Sequence, residues 1–121
     1  MTKEELKQRT KAYAVRVFKF VLTLDKNNAT NVISYQILKA ASSVAVNYRA
    51  VCRGKSGDDF LNKLKIVDEE ADETLFWLEF INELELKCNK TELMFLMKEA
   101  NELVSIFSAS IRTVKAKNPK S

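Results

Sequence analysis

Apolar residues recur along this chain at three- and four-residue steps, the repeat that lines one face of an α-helix. Four such stretches predict four helices. The first spans about residues 4–24, with Leu6, Tyr13, Val17, Val21 and Leu24 on its core stripe. Thr2 and Glu5 form a T-x-x-E capping box at its start. The polar run from Asp25 to Thr30 is a loop, and a second helix follows over about 31–53, with Ile33, Ile37, Ala41, Val44, Tyr48 and Val51 inward. Gly54-Lys55-Ser56-Gly57 breaks the chain, and Ser56 is placed to cap a third helix over about 58–87. That helix carries Phe60, Leu64, Val67, Ala71, Leu75, Leu78 and Asn82 on one face. Asp58 and Asp59 sit in its first turn, where the helix dipole favours anions. Thr91 is the expected cap of a fourth helix over about 91–117, along Leu93, Leu96, Ala100, Leu103, Phe107, Ile111 and Val114. Short connections make sequential neighbours antiparallel. The expected fold is all-α: one antiparallel up-down-up-down four-helix bundle domain over residues 1–121.

These stripes do not account for every apolar residue. The third helix carries a second row, Ile66, Trp77, Phe80 and Leu84, interrupted by Glu70 and Glu73. The first has a surplus in Ala14, Val15, Phe18 and Leu22, and the fourth in Phe95 and Ile106. A wide core arc is one account, since bundle helices often bury more than a narrow seam. Trp77 and Phe80, on a helix already committed to a core, fit an association surface better. A homo-oligomer follows as an expectation, with Phe18, Leu22, Ile66, Trp77, Phe80 and Leu84 as candidate interface residues.

Composition agrees with long helices, because 121 residues contain only 2 Gly and 1 Pro, and the glycines share one short stretch. The length suffices for a core without staples. No run approaches the roughly 18 apolar residues of a membrane span. The charged N-terminus lacks the apolar stretch of a signal peptide, so the expected address is cytoplasmic, with Cys52 and Cys88 reduced and too far apart to bridge.

Charge is segregated by helix. The net charge is +4, yet residues 58–87 hold ten acids against three lysines, whereas 31–57 hold four bases and no acid. Two readings follow. The acidic helix neutralises its neighbours, inside the bundle or across subunits. Alternatively the acid-free second helix, with Lys39, Arg49, Arg53 and the adjacent Lys55, is a phosphate-facing surface. A pI near 9.1 suits the second, although no RNA-binding motif is present.

Catalytic chemistry finds little footing. There is no His, which excludes Ser-His-Asp and Cys-His arrangements and the Glu-x-x-His pairs of di-iron bundles. The run from Asp68 to Glu73 reads as a solvated or salt-bridging face, and Gly54-Lys55-Ser56-Gly57 lacks the spacing and preceding strand of a phosphate-binding loop. No enzyme activity, metal or cofactor is expected. Asn47 borders the inward face of the second helix; a buried amide there needs a partner, expected from an acidic or amide side chain of the third helix, unless it is partly exposed.

The stretch Gln-Ile-Leu-Lys-Ala-Ala-Ser-Ser-Val-Ala-Val-Asn-Tyr-Arg-Ala from Gln36, then Asp59-Phe60 and an acidic helix ending Asp-Glu-Thr-Leu-Phe-Trp-Leu-Glu, resembles the bundle proteins related to those encoded in 23S rRNA intervening sequences. Lys39, Ala40, Ser43, Val44, Asn47, Phe60 and Glu79 fit that family's pattern. Where many members read Asn-Ile-Ala-Glu-Gly, this chain has Asn47-Tyr48-Arg49-Ala50-Val51, so no role tied to that acid and glycine carries over. The resemblance implies a small bacterial protein assembling as a ring-like homopentamer. It also implies kinship with the basic pentameric accessory proteins of diversity-generating retroelements, which work with a reverse transcriptase and nucleic acid. Two functions are therefore expected: a non-enzymatic homopentamer binding RNA or a nucleic-acid-processing partner, or a structural or protein-interaction scaffold with no nucleic-acid affinity.

Overall fold

The structure, a computed structural model, describes residues 1–54 and 57–117. It contains four helices: α1 (Lys3–Val21), α2 (Asn28–Arg53), α3 (Asp58–Glu83) and α4 (Lys90–Lys117). The starts of α1 and α3 meet the ends of α2 and α4 at one end of the molecule, where Leu6, Tyr48, Val51, Phe60, Leu64 and Ile106 surround a shared groove. Arg9 of α1 reaches Glu99 and Glu102 of α4, while Arg16 reaches back to Glu92, so those two helices run in opposite directions. The bundle is thus up-down-up-down, and of its four packed helix pairs α1 and α4 approach least closely.

The predicted core stripes of α1 and α2 are buried throughout, and Ile37, Ala41 and Val17 are fully excluded from solvent. In α3 the seam instead follows Leu61, Leu64, Val67, Ala71, Thr74, Leu78 and Ile81. Phe60 and Leu75 are half-buried and Asn82 is exposed, so the buried face of α3 is rotated away from the expected stripe toward Leu61, Thr74 and Ile81. Tyr48 packs on Phe107 across the core at 5.6 Å between ring centroids. The buried threonines are satisfied locally: Thr10 donates to Lys7 O and Thr74 to Glu70 O, at 3.0 and 2.8 Å.

Helix ends show where local chemistry overrides the periodic pattern. Thr2 caps α1 as expected, its hydroxyl accepting from the Glu5 amide at 3.0 Å. The second helix starts three residues before the expected position, at Asn28. Asn27 and Thr30 form a reciprocal capping box there, with bonds of 3.0 and 2.9 Å. The third helix stops at Glu83 rather than at residue 87. Glu85 adopts a left-handed φ of 55°, with Glu85 N donating to Asn82 O and Leu86 N to Ile81 O. That is a Schellman ending, and it places Leu86 against the core. The cap of α4 is Asn89, whose side chain accepts from Glu92 N at 3.0 Å, in place of Thr91. Ser56, expected to cap α3, lies outside the described residues.

Candidate nucleic-acid and subunit interfaces

Ion pairing divides the charged surface into satisfied and unsatisfied parts. Arg9 clasps Glu99 in a two-pronged bond, 2.6 Å from Nε and 2.7 Å from Nη2, and adds Glu102 at 2.9 Å. Arg16 holds Glu92 at 2.6 and 2.9 Å and lies 3.6 Å over the Phe95 ring. These arginine hydrogen bonds hold the carboxyls of Glu99 and Glu92 below the usual range. Two of the six cations of α1, Arg9 and Arg16, are therefore met by α4, and Lys7 pairs with Glu4 of its own helix. Of the neutralisation expected from the acidic third helix, inside the bundle or across subunits, the bundle shows the attraction of Lys39 for Glu70 and no ion pair between α3 and a neighbouring helix among the described residues.

The acids of α3 find little such compensation. Among the described residues their only ion pair is Asp59 with Lys63, inside the helix at 3.1 Å. Burial, reinforced by Asp72 and Glu69, pushes Asp68 upward against the hydrogen bond that Ser108 donates to it. Burial and Glu73 do the same to Glu70, opposed by Lys39. No group of three or more side chains suited to a metal forms among the described residues.

The basic residues of α2 are exposed. Lys39, Arg49 and Arg53 make no ion pair among the described residues. Arg49 lines a groove with Lys7, Gln8, Lys11, Ala45 and Val46. Arg53 follows one helical turn later, whereas Lys39 stands ten residues from Arg49, roughly 15 Å along the helix. Lys55 lies outside the described residues. Lys7 and Lys11 were not singled out by sequence reasoning, since only the packing of α1 on α2 brings them beside Arg49.

Two apolar surfaces also face outward. On one, Phe18 and Leu22 join Ala14, Val15, Ala45 and Val46 in an open groove between α1 and α2, flanked by Lys11 and Lys19. Ala14 itself is buried and belongs to the core. On the other, Ile66, Phe76, Phe80 and Leu84 of α3 are each 38–50% exposed. Phe76 was missed by the periodic reading. Trp77 is half-buried rather than open, set between Phe76 and Phe80 at centroid distances of 5.0 and 5.4 Å, and its Nε1 is buried without a hydrogen-bond partner. Asn47 is half-buried, and its partner is on its own helix: Nδ2 donates to Ser43 O and Ser43 Oγ at 2.9 and 2.8 Å, in place of the expected side chain of α3.

The profile of the family described as 23S rRNA-intervening sequence protein matches residues 2–109. Among solved structures, the chain is similar to a protein of unknown function from the S23 ribosomal protein family of Bacteroides thetaiotaomicron. The two share 28% identity at a TM-score of 0.76, over 93% of this chain and 99% of that one. No curated protein matches the chain. Among the described residues, no helix is long and apolar enough to cross a membrane.

Proposed function

This chain belongs to the 23S rRNA-intervening sequence protein family, and we propose that it acts without catalysis, as a cytoplasmic homo-oligomeric bundle that binds RNA through the basic face of α2. The observation that carries this reading is the contrast between two sets of cations. Arg9 and Arg16 are engaged by glutamates of α4, whereas Lys39, Arg49 and Arg53 are exposed without an ion pair among the described residues. Unpaired cations on one face favour a polyanion, because each phosphate contact releases condensed counterions. A homopentamer, the assembly implied by the family resemblance, would repeat that face five times on one symmetric surface. A strand touching several copies would gain avidity without any new contact. With no base-reading motif in the chain, recognition falls on the phosphate backbone.

The test is binding of a labelled mixed-sequence RNA hairpin, followed by fluorescence anisotropy on protein whose assembly is checked by sedimentation. Arg49→Glu with Arg53→Glu weakens binding strongly, while Lys26→Glu, in the loop before α2, changes it little. An intact oligomer that ignores the hairpin at low salt leaves a protein-interaction scaffold instead.

A further inference from the structure

We infer that the apolar stripe of α1 in one copy docks in parallel on the aromatic stripe of α3 in the next, with Lys11 opposite Glu73 setting the register. This rests on the homo-oligomeric reading above and assigns its surfaces.

The two stripes have the same spacing and a matching order of chemistry. Lys11, Val15, Phe18 and Leu22 follow one another at steps of four, three and four residues; so do Glu73, Trp77, Phe80 and Leu84. Such spacing lines a helix face suited to a second helix. One turn earlier the same offset sets Lys7 against Glu69. Each stripe thus begins with charge and ends with apolar side chains, and the charges are opposite in sign. Val15, Phe18 and Leu22 are 47%, 39% and 76% exposed, while Phe80 and Leu84 are 38% and 47% exposed. These side chains have partners to gain.

The order of residues selects the geometry. Parallel alignment places lysine on glutamate and apolar on apolar. Antiparallel alignment of α1 on α3 puts Lys11 on Leu84 and Glu73 on Leu22. Two copies of the same stripe related by a two-fold axis put Lys11 on Leu22 or Glu73 on Leu84 when the axis crosses the helices, and lysine on lysine or glutamate on glutamate when it runs along them. Within one copy α1 and α3 already run in the same direction, so a neighbour rotated about an axis along the bundle presents its α3 parallel to α1. Such a contact uses different surfaces on the two copies and repeats head to tail, closing into a ring when the rotation between copies divides a full turn. It also gives Glu69 and Glu73, which make no ion pair among the described residues, lysine partners from the neighbouring copy. Lys39 and Arg53 on α2 line neither α1–α2 groove and stay available to RNA, whereas Arg49 shares one with Lys7 and Lys11 and borders the contact.

The experiment combines charge exchange with cross-linking. Lys11→Glu or Glu73→Lys alone weakens assembly about tenfold per interface in sedimentation velocity, and the double exchange restores it. In a Cys52→Ser, Cys88→Ser background, a short bismaleimide joins Phe18→Cys protomers to Phe80→Cys protomers only when the two are mixed. A wild-type protein that sediments as a monomer overturns the oligomeric reading itself. An assembled wild type in which the double exchange recovers nothing, or in which each cysteine variant cross-links to itself, overturns this surface assignment and leaves the oligomer standing. Far-UV circular dichroism distinguishes lost assembly from lost fold.

Discussion

Replacing Arg9 by methionine keeps most of the aliphatic stem and removes the guanidinium that ties α1 to α4. The side chain is 25% exposed and its main partner, Glu99, only 16%, so the pair is neither a surface bridge nor fully interior. Exposed pairs contribute about 0–1 kcal/mol; removing one partner of a buried pair costs about 3–5 kcal/mol. The intermediate burial here gives a loss of about 2 kcal/mol at neutral pH, some 8 °C in Tm for a domain of this size. The pH dependence separates this cause from lost packing. Glu99 is held below its unfolded pKa by Arg9, so its contribution is complete above the unfolded value and lost as pH falls through the folded one. In the variant, burial of Glu99 is opposed only by Glu102 and the more distant Arg16, so its pKa rises; its charge then destabilises at neutral pH, and protonation relieves this. Both effects narrow the gap between the two proteins below about pH 4. Urea unfolding at pH 7 and in mild acid, at one protomer concentration, reads the difference. A gap of constant size across that range, or no gap at pH 7, refutes the reasoning.

Three further outcomes follow from the helix ends and the α1–α4 seam. Glu85→Gly removes the strain of a left-handed non-glycine residue and raises stability by about 0.5–1 kcal/mol in urea unfolding; a loss would mean that the Schellman ending is wrong. Asn27→Ala breaks half of the capping box on α2 and lowers stability by about 1 kcal/mol, with Asn27→Asp largely retaining it. Tyr13→Phe deletes the buried 2.8 Å bond to Leu96 O and costs about 1 kcal/mol, evenly across neutral pH because burial pushes the phenol pKa upward and keeps it protonated.

What the sequence showed and what it hid divide along the range of the interactions involved. Helix number, order and most core residues follow from periodicity, because a buried stripe is a property of one helix with itself. The early start of α2 was masked because Asn27-Asn28-Ala29-Thr30 reads as loop composition, although Asn27 and Thr30 have capping-box spacing. The early end of α3 carries no conventional mark, since Glu85 occupies a position that usually selects glycine or asparagine. Exposure of Phe18, Leu22, Ile66, Phe80 and Leu84 was legible as apolar surplus. The α1–α4 ion pairs were not, because the register of helices distant in sequence is set by packing of the whole bundle. The same holds for Lys7 and Lys11 beside Arg49. For Asn47, a serine four residues earlier on the same helix supplied the partner that was sought on a neighbouring one.

The central claim, an assembled bundle offering uncompensated cations to RNA, is tested most directly by the salt dependence of RNA affinity for the intact oligomer. The logarithm of the binding constant should fall linearly with the logarithm of salt concentration. Arg49→Glu with Arg53→Glu should flatten that slope by at least about 1.4 per engaged copy, from about 0.7 for each lost single-strand phosphate contact. A slope unchanged by the double substitution, or an intact oligomer with no affinity for RNA at low salt, contradicts it.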